Sequence, residues 1–435
     1  MSRLNLRQFT SAFCAAAAVL ALSACGQDSV YPNSTFTHLT DLNTSIDALW
    51  NRLLFFGTIV FVVTEGVLIL TIFKFRKRPG GPAPKQIHGN AALEITWTVI
   101  PALILVLIAV PTVRTIFKTQ AKAPANSLQI EVIGHQWWWE FRYPELGFIT
   151  ANEIYIPAGR SVNFKLNTRD VLHSFWTPQL GGKRDLIASD VYTKKANYLW
   201  YTPDSSLTEN VFNGFCTEYC GSSHANMRFR VYTVSAEKFA SWAAHQKANA
   251  NMSPAATAPA VAGATSPTAT KVIPVSQTNA AAAIAVDSGY VFPTAKLPAH
   301  VIPTTPLPTT IAFDAAILAA GNAVAGRELV MNIAKAPCIT CHNIRGELQL
   351  LKDNQMKGPN LTHFASRHTF ASGLYSTRAK ELALWIKNAP VMKPGSIMPT
   401  LGAGEYSPQM KQKVTAGGLD DRQIADIVAY LLALK

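Results

Sequence analysis

Two long apolar runs, Ile46 to Phe75 and Leu93 to Phe117, interrupt an otherwise mixed chain. As helices, each is long enough to cross a hydrocarbon core of about 30 Å, so the pattern predicts a transmembrane hairpin. A shorter run, Phe9 to Leu22, follows Arg3 and Arg7 and ends in Leu22-Ser23-Ala24-Cys25, the layout of a secretory leader rather than a span. From Ser127 to about Trp242 the period falls to two. Leu128, Ile130 and Val132 alternate with polar residues, as do Val162, Phe164 and Leu166, and again Met227, Phe229 and Val231. Turn formers such as Pro157-Ala158-Gly159 and Gly181-Gly182 divide these runs, which predicts short strands in a Greek-key β-sandwich. Between Ala243 and Thr310 the chain is Ala, Pro, Thr, Ser and Val without a sustained period, and reads as a linker. Helical spacing returns beyond it. Asp420 is placed to cap a last helix whose Ile424, Ile427, Val428 and Leu431 share one face. The expected organisation is a leader over 1–24, an N-terminal segment and hairpin over 25–122, a sandwich over 123–242, a linker over 243–310 and an all-α domain over 311–435.

Charge orients the hairpin. Lys74 at the end of the first span and Arg76, Lys77, Arg78 and Lys85 in the loop crowd one side, whereas Asp28, Asp41 and Asp47 lie before or at the start of that span with only Arg52 at its edge. Excess positive charge stays on the cytoplasmic side, so the loop belongs there and both ends outside. Arg114, Lys118 and Lys122 dilute that signal, but the leader gives the same orientation. Pro101 and Pro111 lie inside the second span, where a membrane bundle tolerates them. The formal net charge of +13 raises nucleic acid as a partner. No basic run is interleaved with aromatics as a nucleic-acid surface requires, so the charge reads as topology and solvated surface.

The densest chemistry is Cys216-Thr-Glu218-Tyr-Cys220-Gly-Ser-Ser-His224-Ala-Asn-Met227. Two thiols, an imidazole and a thioether form a soft set suited to copper or zinc, and the thioether favours copper. A disulfide beside a bystander histidine is the plainer alternative. Against it stands His173, in the apolar setting Asp170-Val171-Leu172-His173-Ser174-Phe175-Trp176, of the kind that supplies a remote ligand. One copper needs only one cysteine; two cysteines, two histidines and a methionine suggest two coppers bridged by both sulfurs. Farther on, Cys338-Ile339-Thr340-Cys341-His342 is the covalent c-type haem attachment pattern, with His342 as proximal ligand. A zinc half-site would need a second pair, for which His363 and His368 are available. Met356, Met392, Met398 and Met410 are candidates for the distal haem ligand. These sites and the leader absorb all six cysteines without a structural disulfide.

The first constellation resembles the binuclear copper A centre in subunit II of haem-copper cytochrome c oxidase, whose Cys-x-Glu-x-Cys-x3-His-x2-Met pattern and upstream His-Ser-Phe are matched at every position. The resemblance implies that Cys216 and Cys220 bridge two coppers, that His173 and His224 cap one each, and that Met227 is a weak ligand. It also implies that Glu218 contributes its backbone carbonyl, while its carboxylate faces a magnesium ion shared with subunit I. Gln136-Trp137-Trp138-Trp139 matches the run that carries the tryptophan through which electrons reach copper A, at Trp137; a tyrosine is common at the position of Trp138. In a strand, Trp137 and Trp139 would share a face and Trp138 the other. Glu94, in Leu93-Glu94-Ile95-Thr96-Trp97, corresponds to a glutamate at the entrance of the proton path serving subunit I. Leu22-Ser23-Ala24-Cys25 resembles a bacterial lipoprotein signal, with Cys25 lipidated.

The C-terminal region is similar to a class I cytochrome c. Gly358-Pro359-Asn360-Leu361 resembles the loop whose proline carbonyl holds the haem histidine, and Met398, in Ile397-Met398-Pro399, best matches the distal ligand. Gly326 and Tyr430 suit the crossing of first and last helices, although Val330 stands where an aromatic is usual. Together these features resemble the oxidase subunit II that carries a fused cytochrome c: a membrane hairpin, a cupredoxin domain and a haem domain on the outer, periplasmic side of a bacterial membrane. The implied partners are subunit I, subunit III and a cytochrome c or other membrane donor, with no nucleic acid. The implied role is to pass electrons through haem c and copper A to subunit I, where oxygen is reduced and protons are pumped. A copper A nitric oxide reductase component and a non-catalytic copper or redox lipoprotein are the rivals. A flexible linker of about 65 residues spans on the order of 45 Å, so the haem domain is expected to behave as a tethered partner whose release makes transfer bimolecular.

Overall fold

The computed structural model describes residues 31–77, 79–81, 86, 88–188, 196–250, 289–352 and 355–435. The leader with its Leu22–Cys25 ending, Arg78, Lys85 and residues 251–288 of the linker lie outside the described residues. The described residues divide into two compact units, one drawn from those up to Lys122 with 178–182, the other from those of 123–177 and from Lys183 onward.

In the first unit the two apolar runs form helices α1 (Asp41–Lys74) and α2 (Ala91–Thr119), both long and apolar enough to cross a membrane. Each extends past its apolar run to a capping side chain. Thr40 accepts from the Asn43 N–H and Asn90 from the Leu93 N–H, satisfying donors that the first turn leaves open. Pro101 and Pro111 sit within α2. Lys118 Nζ donates to Ser45 Oγ at 2.7 Å, joining the two helices. Ahead of α1, Thr37 and Thr40 hydroxyls and the Asn43 amide donate to the carbonyls of Gln179, Leu180 and Pro178.

The second unit opens with ten strands, β1 (Leu128–His135), β2 (Trp138–Tyr143), β3 (Phe148–Ala151), β4 (Glu153–Pro157), β5 (Val162–Thr168), β6 (His173–Trp176), β7 (Arg184–Leu186), β8 (Asn197–Tyr201), β9 (Glu209–Cys216) and β10 (Arg228–Val234). They form two five-stranded sheets, ordered β3-β2-β1-β5-β8 and β4-β10-β9-β6-β7. The alternating apolar residues turn into the space between: Trp139, Phe141, Phe164, Phe175 and Phe229 are fully buried. Phe175 and Phe229 stack at 4.6 Å, and Gly214 leaves the Phe229 ring its place, since a Cβ there would run into it. Two strand boundaries differ from the sequence reading. β10 begins at Arg228, because Met227 closes a 3-10 turn by bonding to His224 O. β2 begins at Trp138, so Trp137 stands in the turn and escapes strand alternation.

Helix α3 (Ala236–Lys247), capped by Ser235, follows the sandwich. Residues 289–310, which the sequence assigns to the linker, are a strap laid on the sandwich: Phe292 and Val301 are buried, and Phe292 packs on Tyr232. Few charges and many prolines disguised it, because a strap held by side chains has no period. Glu209 grips it from β9, accepting from Tyr290 Oη at 2.8 Å and from Lys296 Nζ, while Lys238 of α3 donates at 2.6 Å. Lys238 first, then Lys296 and Tyr290, hold the Glu209 carboxyl at about 2, below its ordinary 4.5. A depressed carboxylate stabilises above its unfolded pKa and loses that contribution as protons return. The strap should therefore loosen as pH falls from 4.5 towards 2, with faster hydrogen exchange at the Tyr290 and Lys296 amides. Glu209→Gln should show that fast exchange already at pH 6; slow exchange there would remove Glu209 as the grip.

The last domain contains α4 (Ala315–Ala319), α5 (Ala323–Met331), α6 (Ala379–Met392) and α7 (Asp421–Ala433). Asp420 and Gln423 form a reciprocal capping box on α7, whose Ile424, Ile427, Val428 and Leu431 are buried. Gly326 brings α5 so close to α7 that a Cβ would run into the Asp426 carbonyl. Val330 is buried at this crossing, filling its place without an aromatic ring.

This domain is seated on the sandwich through buried polar groups. Glu153 of β4 accepts from the His368 and Thr369 backbone N–H groups at 3.0 and 2.8 Å and from Thr369 Oγ1 at 2.9 Å. Arg230 of β10 donates to Val301 O at 3.0 Å and Gly373 O at 3.5 Å. Arg345 reaches back to the carbonyls of Lys247 and Gly147 at 2.8 and 2.9 Å.

Candidate metal centre and haem cavity

Pairing between β6 and β9 sets Phe175 opposite Cys216, which brings His173, at the start of β6, to the end of β9. The chain then loops through Gly221, at φ 109°, and a 3-10 turn over His224–Asn226 before entering β10. A left-handed residue suits this reversal, and glycine takes it without steric cost. The loop folds onto itself. Cys216 Sγ and Cys220 Sγ are 3.8 Å apart, His173 Nδ1 is 3.8 Å from the first, and His224 Nδ1 and Met227 Sδ are 3.6 and 3.9 Å from the second. Glu218 turns its carbonyl to 3.3 Å from Cys216 Sγ while its side chain is exposed.

A disulfide has its sulfurs about 2.05 Å apart, and both cysteines are free. Sulfurs at 3.8 Å lie within reach of one metal bonded to each at about 2.3 Å. Buried imidazole and thioether flank them, so the residues fit soft metal, and His173, Cys216 and Cys220 form the one such cluster of three among the described residues. The Cys220 thiol and then the His173 ring hold Cys216 down at about 4, whereas sharing a proton with Cys216 pushes Cys220 up. Burial opposes a proton on His173, but Asp170 and Cys216 outweigh it and raise its pKa. Asp170 Oδ1 binds His173 Nε2 at 2.8 Å, turning Nδ1 to the sulfur, the orienting contact expected behind a metal-ligating histidine. Asp170 was legible as a carboxylate three residues before His173. Gly134 was not: it lets the His173 ring lie on β1, where a Cβ would meet it at 2.6 Å.

A cavity of about 1350 Å³, counting its open mouth, takes in Cys338, Cys341, His342 and Met398. His342 Nδ1 donates to Pro359 O at 2.6 Å, which leaves Nε2 with a free lone pair. Burial pulls the His342 pKa down, against the effect of that carbonyl, and keeps the ring in the neutral form an iron ligand needs. Gly358 packs flat on the ring, with no space for a Cβ. These residues fit a thioether-linked haem. Of the four candidate methionines Met398 alone lines the cavity; Met356 and Met392 are buried elsewhere and Met410 is exposed. Neither His363 nor His368 lines it, which removes a zinc half-site there.

Trp137 joins the two sites. It lines the cavity, and its indole N–H donates to Cys220 O at 2.8 Å, beside Gln136 Nε2 at 2.7 Å. The other tryptophans serve packing: Trp139 fills the sandwich core, and Trp138 stacks on His135 at 4.1 Å. Glu94 belongs to the first unit, where its carboxylate accepts from the Asn90 N–H at 3.3 Å.

Residues 39–115 match the transmembrane domain of cytochrome C oxidase subunit II, residues 148–234 its periplasmic domain, and residues 323–435 cytochrome c. A cytochrome c oxidase subunit 2 of Bacillus sp. strain PS3 is 30% identical over 373 residues, 83% of this chain and 80% of that protein. Another, of Alkalihalophilus pseudofirmus, is 42% identical over 190 residues, 42% of this chain and only 53% of the relative's length. Among solved structures, the periplasmic domain of cytochrome oxidase subunit II of Bradyrhizobium japonicum aligns with a TM-score of 0.26 and 27% identity, over 29% of this chain and 97% of that one.

Proposed function

Since the chain belongs to the cytochrome c oxidase subunit II family, in the form that carries its own cytochrome c domain, we propose that it is the electron inlet of a respiratory oxidase. Electrons from a donor outside the membrane enter at the haem domain, pass to copper A and leave for subunit I, which reduces oxygen and pumps protons. Bound haem and copper supply the one-electron chemistry; the protein holds, orients and shields them. Cys216, Cys220, His173, His224, Met227 and the Glu218 carbonyl would hold the copper, and Cys338, Cys341, His342 and Met398 would hold the haem. The observation that carries the reading is Trp137, whose side chain belongs to the haem cavity wall and is bonded to the carbonyl of a copper thiolate residue. Both ligand sets would fill the metal positions with protein groups and leave none open to a substrate, which favours electron transfer over bond chemistry.

The exposed Glu218 carboxylate is free to face magnesium at the contact with subunit I. Glu94, at the start of α2, is the residue proposed at the proton-path entrance. Subunit III and a cytochrome c or membrane donor complete the proposed assembly, with the soluble domains periplasmic. The test is purification of the membrane complex with its large subunit, followed by oxygen and nitric oxide consumption. Oxygen uptake driven through haem c is expected; nitric oxide consumption instead would transfer the inlet to a different enzyme.

Met398→Ala should abolish the weak near-infrared sulfur-to-iron band and lower the haem potential, because a thioether ligand raises it. Met392 is the control. It is buried in the domain core, with its carbonyl accepting from Tyr375 Oη at 2.8 Å, and its replacement should leave the band in place. Loss of the band in Met392→Ala rather than Met398→Ala would reverse the assignment.

A further inference from the structure

Lys393 follows the end of α6 and is 4% exposed. Its Nζ donates to Trp137 O at 2.6 Å and to Ser372 Oγ at 2.9 Å, and Ser372 Oγ itself donates to Trp137 O at 2.7 Å. Two side chains of the haem domain thus converge on one carbonyl of the sandwich. Burial, opposed by the Cys220 sulfur, draws the lysine pKa down to about 7. A lysine is rarely placed so deep without a specific task.

The backbone around it is arranged for this contact. Ala371 and Ser372 have φ of 50° and 63°, and Gly373 has 74°. Left-handed non-glycine residues cost about 1 kcal/mol each and persist where surrounding structure fixes them. The strain is localised at the tip of the hairpin between Thr369–Phe370 and Tyr375–Ser376, the point that meets Trp137. On the other side, Gly395 faces the indole so closely that a Cβ would stand 2.7 Å from it, and Ser223 of the metal-binding loop donates to Pro394 O. Lys393, Ser372 and Trp137 all line the haem cavity.

We propose that Lys393, with Ser372, is a positioning residue for electron transfer between the two centres, fixing the Trp137 backbone so that its indole stays between the haem cavity and the Cys220 carbonyl. This rests on the reading of Trp137 as the path between haem and copper. The lysine touches neither cofactor ligand; it acts through the Trp137 carbonyl. Because it comes from the haem domain, the path is complete only while that domain is seated.

The experiment uses the whole complex with both cofactors, timing copper reduction after flash reduction of haem c. Lys393→Met should slow this step several-fold, because the Trp137 carbonyl loses the donor that fixes it and the indole is no longer held against the Cys220 carbonyl. Absorption spectra of both centres should be unchanged. Ser372→Ala, which removes the second donor from the same carbonyl, should slow transfer in the same direction. In a Trp137→Phe background, Lys393→Met should slow transfer no further. An unchanged rate in Lys393→Met, or equal slowing in both backgrounds, overturns the proposal while leaving the inlet reading intact. If Trp137→Phe alone leaves the rate unchanged, the path itself is wrong and the positioning role falls with it. Should Lys393→Met fail to fold, Ser372→Ala carries the same cycle, and an unchanged rate there is the overturning result.

Discussion

Cys220→Ser should abolish the mixed-valence two-copper signal and leave haem c at full occupancy. Cys220 Sγ is the hub of the loop, within 3.9 Å of Cys216 Sγ, His224 Nδ1 and Met227 Sδ. A serine hydroxyl is a hard, weakly acidic donor that cannot take over a soft bridging position. The contacts to Trp137 and Gln136 use the Cys220 backbone carbonyl, so they survive the substitution, and the haem domain should remain seated. Metal analysis with electron paramagnetic resonance reads the copper, and the reduced haem spectrum reads the control. Retention of the wild-type two-copper signal would rule out Cys220 as a bridge.

The second large effect concerns the seam. A protease site introduced near Gly263 and then cut should leave haem-to-copper transfer first order and insensitive to dilution, contrary to the tethered behaviour that linker composition alone predicts. Glu153 is buried and accepts three hydrogen bonds from His368 and Thr369, and Arg230 and Lys393 add buried contacts. Glu153→Ala should cost about 3 kcal/mol, because buried donors lose a charged partner, or about a hundredfold in the docking constant. Only the cut Glu153→Ala protein should then become dilution-sensitive. Its seam is shielded from salt, so ionic strength should affect the intact docked form little. If the cut wild-type complex already loses transfer on dilution, the seam does not hold the domain and the tether view returns.

Sequence reading reached the hairpin and the sandwich, and singled out the side chains that the structure brings together, because each leaves a short-range mark. Spans are contiguous, strands alternate, and Cys216 to Met227 or Cys338 to His342 lie within one loop. His173 was also accessible, through its own His-Ser-Phe context and the need for a remote ligand. What escaped was everything that depends on two distant segments meeting. Lys393 has no local peculiarity, and its meaning comes from a carbonyl 256 residues away. The strap over 289–310 looked like spacer because its holding points, Tyr290 and Lys296 on Glu209 and the Val301 carbonyl on Arg230, carry no period. Trp137 was proposed by resemblance, while the strand rule misplaced it by treating a turn residue as part of β2.

Gly221 and Gly395, one from each domain, flank the same indole, and each has a positive φ as well as a Cβ position crowded by Trp137. A methyl group at Gly395 would act as a wedge between the domains, and one at Gly221 would push the indole from within the sandwich. The haem domain is therefore a fitted part, a lock with its key built in, rather than an interchangeable carrier. A chimera that grafts a foreign cytochrome c onto the same linker should fold and take up both cofactors. It would still lack the fitted surface around Trp137 until its own loop acquired a glycine, a buried lysine and a left-handed serine turn.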